Sequence, residues 1–195
     1  MIKHISLAFL FIVLILTSFA QERKDLVIGI SGGKLTSPYY SKNTIGSYYG
    51  IDFDYYLSKQ HILSVNYNYG EHRYYDKILS TDPSYHREDG TNATAGYQTF
   101  SVLYKNKFLH SKQITGAIGT GVGIMTYSNE YPVVTSTGSI FRKSVNTDLV
   151  FPVRLEFDYS LPKNFRFGLI GGFFIHPDFP ILAYHLGPRL SYVIR

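Results

Sequence analysis

Seven charged side chains form the densest set of chemistry-bearing residues in the sequence: Asp52, Asp54, Arg154, Glu156, Asp158, Arg166 and Arg189. Asp52 and Asp54 are two residues apart, as are Arg154, Glu156 and Asp158. On an extended strand, alternate residues share a face, so each run presents its charges to one side. Carboxylates and guanidinium groups gathered on one inner surface could carry an ion path or a proton relay. They could equally form a plug of mutually paired charges, because a buried charge is retained only when it is paired and hydrogen-bonded. The plug is the better reading, since the strand count derived below leaves no aqueous channel.

The other candidate chemistries are thinner. The seven histidines show no metal-ligand spacing on one strand face, so no metal or other cofactor is expected. His176-Pro177-Asp178 matches the J-domain tripeptide by letters only, without the helices that motif needs. Asn92-Ala93-Thr94 is a glycosylation sequon by pattern, expected to be idle in a bacterial envelope. Cysteine is absent, which excludes a disulfide framework, a zinc-thiolate site and a lipid-modified N-terminal cysteine. The basic residues are dispersed and the net charge is only +5, so nucleic acid is not an expected partner.

The elements that must position the charges are stated most clearly by residues 149–174. Leu149, Phe151, Val153, Leu155, Phe157 and Tyr159 alternate with Val150, Pro152, Arg154, Glu156 and Asp158. Leu161-Pro162-Lys163-Asn164 turns the chain, and Phe165, Phe167, Leu169 and Phe173 then alternate with Arg166, Gly168, Ile170 and Gly172. This period of two on both sides of a short turn predicts a long β-hairpin. One face is apolar and the other holds opposite charges and glycines, as when lipid lies on one side and a packed lumen on the other.

Residues 1–20 read as a secretory signal peptide, with a short basic start at Lys3, an apolar run over 5–16 and a cut after Ala20. The rest, 21–195, is one domain. It is all-β, with strands expected over 25–34, 47–57, 61–75, 93–107, 112–127, 147–160, 164–175 and 182–194. Short turns (57–60, 108–111, 161–164) alternate with longer, Tyr-rich joins (35–46, 76–92, 128–146), and 176–181 is a shorter fourth join. That asymmetry predicts an eight-stranded antiparallel up-and-down transmembrane β-barrel with short periplasmic turns and long outer loops. Both termini then fall on the periplasmic side.

Volume decides which face is inside. An eight-stranded lumen is only just wide enough for its side chains, and the large apolar face would overfill it. With the charges inside, Gly119, Gly121 and Gly123 are expected to make room for Arg154, Arg166 and Arg189. The proline at 152 and the one at 188 each lose a ladder bond and are expected to mark bulges.

The signal peptide, the eight alternating strands and the asymmetric loops resemble the small outer-membrane barrels of the OmpA/OmpX-like, porin-superfamily type. His185, Gly187, Leu190 and Tyr192 resemble the C-terminal signal read by the barrel-insertion machinery. The resemblance implies outer-membrane location, contact with lipid and lipopolysaccharide, and a monomer. Some small barrels of this kind modify lipid A. Ser128-Asn129 resembles part of the deacylase motif His-x-Ser-Asn, but Thr126 stands where the histidine base would be. No catalytic residue is therefore expected. A small channel or transport barrel is the other alternative.

The long joins supply the last candidates. Tyr39, Tyr40, Tyr85 and Tyr131 interleave with Lys42, Arg87, Arg142 and Lys143. These side chains read either as a recognition surface for a glycan, lipopolysaccharide or protein, or as an interfacial aromatic belt with cations on lipid phosphates. Residues 133–144 are expected to extend the fifth and sixth strands as a hairpin above the membrane.

Overall fold

The computed structural model describes residues 25–37, 45–77, 90–135, 138–178 and 183–194. The expected signal peptide lies outside the described residues, as do Tyr39, Tyr40, Lys42, Tyr85 and Arg87. The strands are β1 (Leu26–Thr36), β2 (Gly46–Tyr56), β3 (His61–Lys77), β4 (Gly90–His110), β5 (Ile114–Thr135), β6 (Gly138–Ser160), β7 (Phe165–Ile175) and β8 (Ala183–Ile194). Each pairs antiparallel with the next, and β8 closes on β1 from Leu26↔Ile194 to Thr36↔Tyr184. The chain is an eight-stranded up-and-down barrel.

The period of two sets the faces. On β6, Leu149, Phe151, Leu155, Phe157 and Tyr159 are exposed, while Val150, Pro152, Arg154, Glu156 and Asp158 are buried. On β8, burial alternates at every residue. The outer wall is apolar to an extent no water-facing surface carries: Phe100, Ile124 and Leu169 are 57%, 56% and 56% exposed. That wall is built to face lipid.

The turns at the terminal end are tight for local reasons. Ser111 Oγ accepts from the Ile114 N–H at 2.9 Å, and Ser58 Oγ accepts from the Gln60 and His61 N–H groups at 3.2 Å. Lys163 and Asn164 take left-handed φ values of 60° and 65°. Asn tolerates that region better than Lys does.

Neither proline produces a bulge. The β5–β6 ladder lapses between Thr120↔Val153 and Gly123↔Val150 but resumes in the same register. On its other side, Pro152 stays paired with Phe174. The β1–β8 ladder lapses between Ser31↔Arg189 and Lys34↔Leu186, again without a shift, while Pro188 stays paired with Leu169. A strand residue has one N–H, directed at one neighbour, so each proline costs one ladder and leaves the other intact. The register shift that does occur lies between Lys107 and Leu109 on β4, in a stretch read from sequence as part of a turn.

The strands are unequal. β1, β2, β7 and β8 have 11, 11, 11 and 12 residues, whereas β4, β5 and β6 have 21, 22 and 23. A tilted strand needs roughly 9–11 residues to cross a membrane. The long strands therefore continue roughly 10–14 residues beyond it, about 33–46 Å along the strand at about 3.3 Å per residue. The β5–β6 hairpin runs up to Thr135↔Gly138, matching the extension expected from the sequence. The β2–β3 pairing stops at Ser47↔Glu71 and the β6–β7 pairing at Phe151↔Ile175. Above those points β3 to β6 share one sheet only up to Ala95↔Asn129, where the β4–β5 pairing ends. Beyond it, among the described residues, β3–β4 continues to Lys77↔Gly90 and β5–β6 to Thr135↔Gly138 as two separate two-stranded ladders.

Candidate functional site

The lumen is filled in three layers. At the turn end, Val27, Tyr56, Ile62 and Val193 form a small apolar cluster. At the opposite end, Leu35, Tyr48, Tyr97, Met125, Val150, Ile170 and Phe174 form a larger one. Between them lies the charge network.

Arg189 is its centre. Its Nη2 donates to Asp54 Oδ2 at 2.8 Å, its Nη1 to Asp158 Oδ2 at 2.7 Å and its Nε to Asp52 Oδ2 at 3.2 Å. Glu156 Oε2 lies 3.7 Å from the same guanidinium. Arg154 pairs with Asp52 through Nη1 and donates through Nη2 to Asn68 Oδ1 at 3.1 Å. Lys105 closes the set, with Nζ at 2.9 Å from Asp54 Oδ1 and 2.5 Å from Glu156 Oε1. Every member is buried. Four carboxylates thus share three cations, and each ion keeps a partner, as charges withdrawn from water require.

Two features differ from the sequence reading. Arg166 does not join this set; it is half-buried near the turn end and donates to the Tyr56 hydroxyl at 2.7 Å. There it shares the Tyr56 ring with Lys107, whose Nζ sits 4.1 Å from the ring centroid. Lys105 occupies the network place instead. It was legible as an inward residue of β4, but nothing local marks which carboxylates it meets across the lumen.

The glycines also serve different partners from those expected. A Cβ on Gly119 would lie 2.6 Å from Lys105 Cγ, and one on Gly29 would lie 2.8 Å from Arg189 Nη2. Gly121 and Gly123 face the backbone and Ser101 of β4, not arginines.

The C-terminal residues separate by face. His185 and Gly187 are buried, whereas Leu190 and Tyr192 are exposed on the outer wall. The His185 ring lies 4.7 Å from Tyr48 and 5.5 Å from Phe174. Of the loop candidates, Arg142 and Lys143 are exposed on the rising part of β6. Tyr131 stands opposite Arg142 in the backbone register, and its side chain lies outside the described atoms.

A feature the sequence reading missed lies on the outer wall. Register places Tyr67, Phe100, Ile124 and Leu149 in one outward row across β3 to β6. The next outward row is Tyr69, Gln98, Thr126 and Thr147, and the one beyond is Glu71, Gly96, Ser128 and Val145. Within two rows the wall changes from hydrocarbon to amide, hydroxyl and carboxylate. A groove of about 290 Å³ opens there, lined by Tyr69, Glu71, Gln98, Thr126, Ser128 and Lys143 among others, with Gly96 in its lining. Tyr69 donates its hydroxyl to Glu71 Oε2 at 2.9 Å, and Thr126 Oγ1 lies 3.0 Å from Thr147 Oγ1. Among the described residues that line the groove, none is a histidine. The only sequence signal for the groove was the outward parity of Gly96 and Ser128, which becomes a groove only once the β3–β4 and β4–β5 registers set Glu71, Gly96 and Ser128 side by side.

No family model matches the chain, and no curated protein matches its sequence. Solved structures do. Neisserial surface protein A matches at 10% identity and a TM-score of 0.56, over 87% of this chain and 96% of that one. The N-terminal β-barrel domain of Pseudomonas aeruginosa OprF matches at 11% identity and 0.48, over 89% and 98%. Ail of Yersinia pestis matches at 11% identity and 0.45, over 87% and 97%. The first of these likenesses shows the fold. The chain has the eight-stranded barrel fold of Neisserial surface protein A, and its lipid-facing wall seats it in an outer membrane.

Proposed function

We propose that this outer-membrane barrel is sealed to ions and works as a non-catalytic support for a binding projection on the cell surface. The observation that carries the reading is the excess length of β4, β5 and β6, which lifts the β3–β4 and β5–β6 ladders beyond the membrane while β1, β2, β7 and β8 end near it. Residues on rigidly held projections are where binding tends to gather. Arg142 and Lys143 are exposed on that projection. Their cations suit phosphate or carboxylate on a glycan, on lipopolysaccharide or on an envelope protein. Cleavage after Ala20 and delivery by the barrel-insertion machinery belong to the same reading.

The test compares wild type with a barrel lacking residues 132–143, by glycan array and by pull-down from envelope extracts. The trimmed barrel should fold and lose an anionic glycan or protein partner. Unchanged binding profiles would remove the projection from the binding account. One observation favours a second reading, a lipid-modifying enzyme: Ser128 lies in a groove directly above the apolar wall. That reading requires a lipid A mass change on overexpression that Ser128→Ala abolishes. The expected result is no mass change.

A further inference from the structure

We infer that the outer-wall groove over β3 to β6 is a binding site for the uncharged sugar head group of an outer-leaflet glycolipid. Its height in the wall comes first. The row beneath it, Tyr67, Phe100, Ile124 and Leu149, is hydrocarbon-facing and exposed. A molecule in the groove therefore has its polar part against Gln98, Thr126 and Ser128 and any acyl chain running down over Phe100 and Ile124. That continuity selects an amphiphile over a free solute.

The lining selects the head group. Gln98 offers both a donor and an acceptor, and the Thr126 and Ser128 hydroxyls can each do either, which is the complement of a sugar's vicinal hydroxyls. Glu71 is acceptor-only when ionised and takes hydrogen bonds from hydroxyl groups. The Tyr69 ring beside it offers an apolar face to the C–H side of a pyranose. A phosphate group is excluded on charge. Glu71 and Glu130 both line the groove, and the one cation in its described lining, Lys143, stands directly opposite Glu130 in the ladder. Phosphate oxygens carry no donors to offer these carboxylates.

Gly96 keeps the site open. A Cβ there would meet only Ser128 Oγ at 3.2 Å and the Gly70 carbonyl at 4.0 Å. A larger side chain thus fills the groove without entering the barrel wall. At about 290 Å³ the space lies just below the ~300–1,000 Å³ typical of drug-sized ligands, which suits a head group of one or two rings.

This site rests on reading the projecting strands as the binding platform, and the two can be separated. The barrel is held in lauryldimethylamine oxide micelles and titrated with dodecyl maltoside, dodecylphosphocholine or maltose, following backbone amide shifts. Dodecyl maltoside should give saturable shifts centred on Gly96, Gln98, Thr126 and Ser128. Dodecylphosphocholine and free maltose should bind at least tenfold more weakly. Gly96→Leu should weaken the maltoside response at least tenfold while amides of β7 and β8 keep their positions. If Gly96→Leu does not fold, the pair Thr126→Val and Ser128→Ala provides the same comparison. Equal shifts with dodecylphosphocholine, or a maltoside response indifferent to both sets of variants, would overturn the proposal. The barrel lacking 132–143 loses Lys143 from the groove rim but retains Gly96, Gln98, Thr126 and Ser128, the residues that meet the sugar. A maltoside response kept there while the array profile is unchanged would fail the projection and spare this site; a lost partner with no maltoside response in wild type would do the reverse.

Discussion

Arg189 on β8 and Asp54 on β2 meet at 2.8 Å inside the barrel, although 135 residues separate them in sequence. The contact exists because β8 closes on β1, which sets β8 one strand from β2. The same guanidinium reaches Asp52 and Asp158, so barrel closure and charge pairing depend on each other.

Arg189→Ala should accordingly be the most damaging single change in the lumen. It leaves buried carboxylates short of a partner, a loss of about 3–5 kcal/mol. Arg166→Ala removes one half-buried hydrogen bond to Tyr56 and should cost about 1–2 kcal/mol. Arg142→Ala, exposed on β6, should stay within about 0.5 kcal/mol. Urea titration of the barrel folded into vesicles orders the three. An Arg166 variant as unstable as the Arg189 variant would contradict the assignment of network members.

Gly29→Ala tests the fit around that centre. Its Cβ would stand 2.8 Å from Arg189 Nη2 and 2.9 Å from Nε, so the guanidinium must move off Asp52 or Asp54. A loss of about 1–3 kcal/mol is expected, as for overpacking in a filled core. Gly96→Ala on the outer wall serves as the comparison and should be close to neutral. Equal losses at the two positions would mean that Arg189 is free to shift.

The outer wall carries its own prediction. Val122 lies in an outward row with Val65 and Val102, below the row in which Thr126 stands. Val122→Arg should cost about 2–4 kcal/mol and Thr126→Arg about 0–1 kcal/mol, because an arginine is dear at mid-membrane and cheap at the interface. Vesicle-folding titrations give both values. A reversed order would mean that the apolar belt has been set at the wrong height.

How far the sequence reached follows from the range of each interaction. Alternation along 149–159 is local, and it assigned Leu155 outward and Arg154 inward because neighbouring residues on a strand must face opposite ways. Asp52, Asp54, Arg154, Glu156, Asp158 and Arg189 stood out as charges on that inward parity. Lys105 has the same parity, but parity does not say which carboxylates lie across the lumen from it. Only the closed barrel shows that Lys105 lies beside Asp54 and Glu156, while Lys107 reaches Tyr56 near the mouth. Arg166 was misplaced for the converse reason: inward parity gives its face but not its height, and it sits near the turn. The prolines looked like bulges because a sequence does not say that only one of two ladders loses a bond. The groove was illegible, because Gly96, Ser128 and Glu71 lie on three strands and become neighbours only through two registers.

The central claim is a lumen sealed by a paired charge layer between two apolar layers. Recording from the purified protein in planar bilayers tests it most directly. A quiet baseline is expected for wild type across the usual voltage range. Stable, large, ion-conducting steps from the wild-type protein would contradict it and return the charge network to an ion path.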